Sequence, residues 1–122
     1  MKSQLSLYSF IALYAVGGIM HFIFPEPYLE VIPDWLGDKM TMNYLAGAVE
    51  LLIALLAIFS KTRKFAGIIT ILMLGAFTIS HIYFIQNGSC ISSFCIPKWI
   101  SWLRLFIIHP ILMYWAWKIS RL

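Results

Sequence analysis

The chain has 122 residues, of which 61% are hydrophobic and 11% charged, and its mean hydropathy is +0.86. A soluble domain carries roughly 25% charged residues, so this composition excludes a water-soluble monomer, and the length leaves room for a single domain. The formal net charge of +4 does not point to nucleic acid, because the basic residues stand at the ends of apolar runs and form neither a stripe nor an arm.

A membrane-spanning helix needs about 20 largely apolar residues, and four runs qualify. The first covers residues 5–24, LSLYSFIALYAVGGIMHFIF, and contains His21. It reads as a retained helix rather than a cleaved signal: only Lys2 precedes it, the apolar stretch is long, and no small-x-small site follows. The next segment, PEPYLEVIPDWLGDKMTM, has turns marked by PEP and IPD. Its residues Tyr28, Leu29, Val31, Ile32, Trp35 and Leu36 are expected to pack across the mouth of the bundle. The second run, NYLAGAVELLIALLAIFS at 43–60, holds one acid, Glu50. A short basic turn, SKTRK, follows and makes the second and third helices antiparallel neighbours. The third run, at 65–85, holds His81. The segment CISSFC leads into the fourth, at 99–117, which holds Arg104 and His109. Pro110 cannot donate to the carbonyl of Phe106 and is expected to kink this helix.

Four spans place both termini and the basic turn on one side. That side carries Lys2, Lys61, Arg63, Lys64, Lys118 and Arg121; the other carries only Lys39 and Lys98, with four acids. The positive-inside rule then predicts both termini in the cytoplasm. Tyr28, Trp35, Tyr44, Trp99 and Trp102 fall at the outer interface, and Tyr8, Trp115 and Trp117 at the inner one, the depths that amphipathic rings favour. The predicted fold class is an all-α integral membrane four-helix bundle, spanning the bilayer several times as one domain.

Counting about 1.5 Å per residue puts His21, Glu50, His81 and Arg104 within about 5–10 Å of the outer boundary. Each helix thus contributes one titratable or cationic group to the same layer. Helical phase places Asn43, Gly47, Glu50, Ala54 and Ala57 on one stripe, Tyr14, Gly17 and His21 on another, and Leu74, Thr78 and His81 on a third. Small residues around Glu50 permit close helix approach, so Glu50 is expected to face a packed interface. Arg104 is its expected partner, because a guanidinium holds a carboxylate with two hydrogen bonds. The layer reads either as a structural ion pair that fixes helix register or as a pocket for a ligand headgroup or a proton. His21 and His81 read as hydrogen-bonded structural histidines or as ligand or proton contacts. A metal site is not expected, since no HxxxH or HxxE pair occurs on one helix. His109 lies about 140° round a regular helix from Arg104 and reads as structural. Cys90 and Cys95 fall in an outer loop, where a disulfide staple or a redox-active pair is open; a bond there contributes roughly 2 kcal/mol by loop entropy.

Four stretches resemble the DoxX-like family of small four-helix membrane proteins: GGIMHFIFPEPYLEVIPDWL at 17–36, NYLAGAVELLIALL around Glu50, SKTRKFAG at 60–67 and WLRLFIIHPILMYWAW at 102–117. The resemblance implies a four-helix bundle in a bacterial inner membrane. Some relatives are subunits of quinone-linked oxidoreductases, for example in thiosulfate oxidation. His21, Glu50 and Arg104 stand at matching positions, His81 where a polar residue is common, and the Cys90–Cys95 insertion departs from the pattern. The function expected on this basis is an accessory or subunit of a quinone-linked redox system, not an enzyme as an isolated chain, with no catalytic residue assigned. No motif for haem, flavin or an iron–sulfur cluster is present, so no covalently bound cofactor is expected and any redox centre is a diffusing quinone, the Cys90–Cys95 pair or a partner protein; the cofactor that the resemblance implies is quinone. Expected partners are the lipid bilayer and a membrane or periplasmic redox protein, with oligomerisation open. The alternative is a non-enzymatic assembly factor or scaffold whose polar layer is structural. A small-solute transporter is disfavoured, because the inner half of each span offers no polar path.

Overall fold

The computed structural model describes residues 2–91 and 94–122, and the side chains of Lys2 and Ile91 lie outside the described residues. In chain order the elements are α1 (Lys2–Ile23), α2 (Glu26–Leu29), a 3-10 turn (Asp34–Leu36), α3 (Lys39–Ile58), α4 (Arg63–Gln86), strands β1 (Cys90–Ile91) and β2 (Phe94–Cys95), α5 (Lys98–Leu103), a π turn (Arg104–Ile108) and α6 (His109–Ser120). The last three run on as one rod, Lys98–Ser120, which with α1, α3 and α4 makes four helices long and apolar enough to cross a membrane.

The caps explain where the helices depart from the apolar runs. Helix α3 begins at Lys39 rather than Asn43, because the Asp38 carboxylate accepts from Thr41 N at 3.1 Å and from Thr41 Oγ1 at 2.6 Å. At its other end the basic turn satisfies carbonyls that a helix leaves without partners. Thr62 Oγ1 donates to Leu56 O at 2.7 Å, and Arg63 donates to Ala57 O at 2.9 Å and Ile58 O at 3.2 Å. Arg63 thus closes a helix as well as adding charge.

Helix α1 lies against α3, α4 lies against the α5–α6 rod, and α3 stands beside α4. The α1–α3 crossing is close: a Cβ on Gly18 would sit 2.9 Å from Gly47 O, and one on Gly47 would sit 2.7 Å from His21 Cβ. Small residues let backbones meet in this way. The ring of helices closes where Trp115 Nε1 donates to Ser6 Oγ at 2.8 Å and its indole meets Phe10 edge-on at 5.4 Å. That end also holds the core, built from Phe10, Tyr14, Ile53, Ala57, Ala66, Met73, Ala116 and Ile119. Leu13, Leu55, Leu72 and Ile111 point outward and exposed, a belt suited to lipid.

At the opposite, loop end, the segment after α1 folds over the bundle. Ile32 and Pro33 are buried, and Tyr28, Leu29, Val31 and Leu36 are half-buried. Trp35 departs from the expected packing: it is 70% exposed, because the 3-10 turn points its indole away from the mouth. The two strands pair antiparallel with Cys90 opposite Cys95, and a disulfide joins them. Ser101 Oγ donates to the buried Ser89 Oγ at 2.7 Å, fastening this hairpin to α5. The irregularity expected at Pro110 takes the form of the π turn just before it, in which His109 N donates to Arg104 O, five residues back.

Candidate functional site

The core fills one half of the bundle and leaves a cavity of about 680 Å³ in the loop-end half. Its walls are mostly apolar, among them Val49, Met73, Ala76 and Phe77, and Tyr28, Val31, Ile32 and Leu36 cover it from the loop. His21, Asn43, Glu50, Ser80, His81 and Arg104 bring polar groups to the same space. Leu45, Leu72 and Ile79 line it yet are exposed, so it opens sideways between α3 and α4. All four predicted layer residues therefore share one cavity.

Their pairing differs from expectation. Glu50 meets His21, with Oε2 at 3.1 Å from Nε2, and no ion pair joins it to Arg104 among the described residues. The helix order is the reason: α3 turns its small-residue stripe toward α1, whereas Arg104 opens the π turn of the rod that lies on α4. Gly17 makes the room, since a Cβ there would lie 3.2 Å from Glu50 Oε2.

Asn43, fully buried, organises this pole. Its Nδ2 donates to His21 O at 2.8 Å, which fixes the amide so that Oδ1 faces His21 Nδ1 at 2.7 Å. A carbonyl oxygen only accepts, so Nδ1 carries a hydrogen. Nε2 then faces the carboxylate, and a bare lone pair against an ionised oxygen would repel it. One further proton must therefore reside on Nε2 or on Glu50. The contact is close by distance but poorly aligned: Glu50 Oε2 is buried with no hydrogen bond directed at it. Tyr28 stacks on the His21 ring at 3.9 Å. Burial, and then the charge of Glu50, hold its hydroxyl above the ordinary tyrosine range, so it remains an O–H donor at neutral pH.

The second pole belongs to α4 and the rod. Arg104 Nη2 donates to His81 Nδ1 at 3.2 Å, and the guanidinium stands over the Phe84 ring at 5.3 Å. Because Nδ1 accepts, His81 carries its proton on Nε2. His109 is not on the far side of the rod as a regular helix would put it. The π turn closes at five residues and brings Arg104 and His109 to the same face. His109 Nε2 donates to Leu74 O at 2.5 Å and lies 3.2 Å from Thr78 Oγ1, and its ring meets His81 edge-on at 4.8 Å. His109 thus backs the site from beneath, as a buried support.

The sequence matches the model of a family described as a domain of unknown function, DUF8561, over residues 10–120. The chain belongs to the DUF8561 family. The match takes in both poles of the cavity, from His21 to Arg104. No curated protein and no solved structure matches the chain. Among the described residues of this DUF8561 chain, no group of three or more His, Cys, Asp or Glu is placed to hold a metal ion. Among the described residues, the disulfide hairpin contributes none to the cavity lining. Sequence reasoning missed Asn43 and Tyr28 as site residues. Asn43 was visible as the one other polar member of the Glu50 stripe; Tyr28 carried no such signal, because it lies on a loop whose path only the folded bundle determines. Chemically, this DUF8561 cavity can donate hydrogen bonds at one pole and give or take a proton at the other, around an apolar body admitted from the side.

Proposed function

We propose that the chain is a DoxX-like, multi-pass protein of the bacterial inner membrane, with both termini in the cytoplasm. Its cavity receives the ring headgroup of a bilayer-soluble quinone, as an accessory or subunit of a redox system. The observation that carries this reading is the cavity, apolar, open toward the lipid-facing side between α3 and α4, and polar at two opposed poles. Arg104 would donate to one carbonyl oxygen of the ring, and the proton held by Glu50 and His21 would serve the other. A buried acceptor without an aligned donor, as at Glu50 Oε2, suits a site that handles protons better than one that only braces helices. The test is quinone binding by the purified chain in lipid nanodiscs. Arg104→Met is expected to weaken it about tenfold or more, the worth of a hydrogen bond to a charged group, and Glu50→Gln to remove any coupled proton uptake. Unchanged affinity in both variants would overturn the roles assigned.

One observation favours the second reading, an assembly factor or scaffold whose polar layer is structural: His21, Asn43 and Glu50 bind α1 to α3 at their closest crossing. Under that reading Glu50→Gln together with Arg104→Gln leaves cellular activity intact at normal abundance. A transporter gains no support, since the packed core fills the half of the bundle that a polar path would cross.

A further inference from the structure

The two poles of the cavity differ in charge. At the first, Asn43 fixes the hydrogen on His21 Nδ1, and Glu50 and His21 hold one more proton between them. Whichever of the two carries it, their charges sum to zero. At the second, Arg104 is always a cation. Its contacts are His81 Nδ1 and the face of Phe84, and neither is anionic. The ion pairs seen among the described residues join His21 with Glu50 and Lys39 with Asp34, and neither involves Arg104. The cavity therefore carries one uncompensated positive charge within apolar walls. Such a charge is costly at membrane depth and calls for a counter-charge. The space of about 680 Å³ far exceeds what a small inorganic anion fills, and its exposed rim of Leu45, Leu72 and Ile79 offers a path for an apolar tail.

From this we infer that the cavity binds an amphiphile bearing a single oxyanion, a carboxylate or an ionised ring hydroxyl, with the oxyanion on Arg104 beside His81 and the apolar body in the opening between α3 and α4. The inference rests on the reading of the cavity as a ligand site, and is independent of the ligand being a quinone.

The test uses the full chain in nanodiscs of a zwitterionic phospholipid, with empty nanodiscs correcting for partition. The probes form two matched pairs: oleate with oleyl alcohol, and an alkyl hydroxynaphthoquinone with its methyl ether, at a pH where both acids are ionised. At least one acid is expected to bind about tenfold or more tightly than its neutral partner, the worth of a hydrogen bond to a charged group. Preference within the first pair alone assigns a carboxylate, within the second alone an ionised ring, and within both a general oxyanion site; each supports the inference. Arg104→Gln is expected to abolish the preference by bringing each acid down to the affinity of its neutral partner, and Arg104→Lys to retain part of it, which separates lost charge from lost folding. Equal affinity within both pairs, or a preference that survives Arg104→Gln, overturns the inference. Ala46→Phe, which narrows the cavity, separates the two claims. Charge-blind binding that Ala46→Phe blocks leaves the ligand site standing and removes only the anion, whereas binding indifferent to Ala46→Phe overturns both.

Discussion

Asn43 is the residue on which the loop-end site depends. With no exposed surface, it satisfies a backbone carbonyl and an imidazole nitrogen of the same histidine, and so sets how that ring presents itself to Glu50. Asn43→Ala leaves both groups of His21 buried without partners. At about 1–3 kcal/mol for each such group, the expected loss is about 2–6 kcal/mol, read as a lowered unfolding temperature of the detergent-solubilised chain; a shift near zero would mean that His21 finds other partners. The residue types of this site, and their common depth, were legible in the sequence, because depth follows from counting along apolar runs. Their pairing was not. Glu50 and Arg104 are complementary as side chains, but which of them meet depends on which helices are neighbours, and hydropathy does not encode the order of helices around a bundle axis. The same gap hid the stacking of Tyr28 on His21, a contact between a loop and a helix end.

The long elements followed from composition, and their ends from chemistry that apolar runs do not show. Helix α3 gains its first turn from Asp38, whose carboxylate Thr41 holds below the ordinary range through its hydroxyl and its backbone N–H. A depressed folded-state value means that the cap stabilises only while ionised. Asp38→Ala is therefore expected to lower the unfolding temperature at neutral pH. The gap to the parent chain should hold down to about pH 4 and close as the pH falls through the lowered value of Asp38. A gap that ignores pH would show that the carboxylate's charge contributes nothing. The basic turn has a comparable double character: Arg63 was readable as a topology charge, while its bonds to the last carbonyls of α3 depend on a chain reversal that only the folded turn displays. Pro110 announced an irregular fourth helix, but a π turn and a kink answer the same missing N–H, and local sequence does not choose between them.

At the scale of the whole molecule, a closed half built from interlocked aromatic and small side chains supports an open half that holds space. The proposed orientation puts the closed half toward the cytoplasm. In intact cells a membrane-impermeant thiol reagent is expected to reach a cysteine introduced at Glu26 and to spare one introduced at Lys61; the reverse pattern would invert the bundle. This division was half legible, since the sequence shows apolar lower halves and a polar upper layer, but a void is a property of side chains that fail to meet and leaves no mark in hydropathy. The π turn has a consequence at this scale. It is one residue longer than a regular turn, and that surplus lets His109 stay anchored to α4 while Arg104 reaches the cavity. Excising a single outward residue such as Phe106, which is 66% exposed, would let the rod relax to an ordinary α-helix with every functional side chain still present. Arg104 and His109 would then stand four residues apart, about 40° round the helix, and keep their common face; it is the full-length rod wound as a regular helix that would turn Arg104 about 140° from His109 and aim its guanidinium away from the cavity. The position of the charge is thus set by the winding of one turn, which takes up an odd residue in the count, as much as by the identity of the amino acid that bears it.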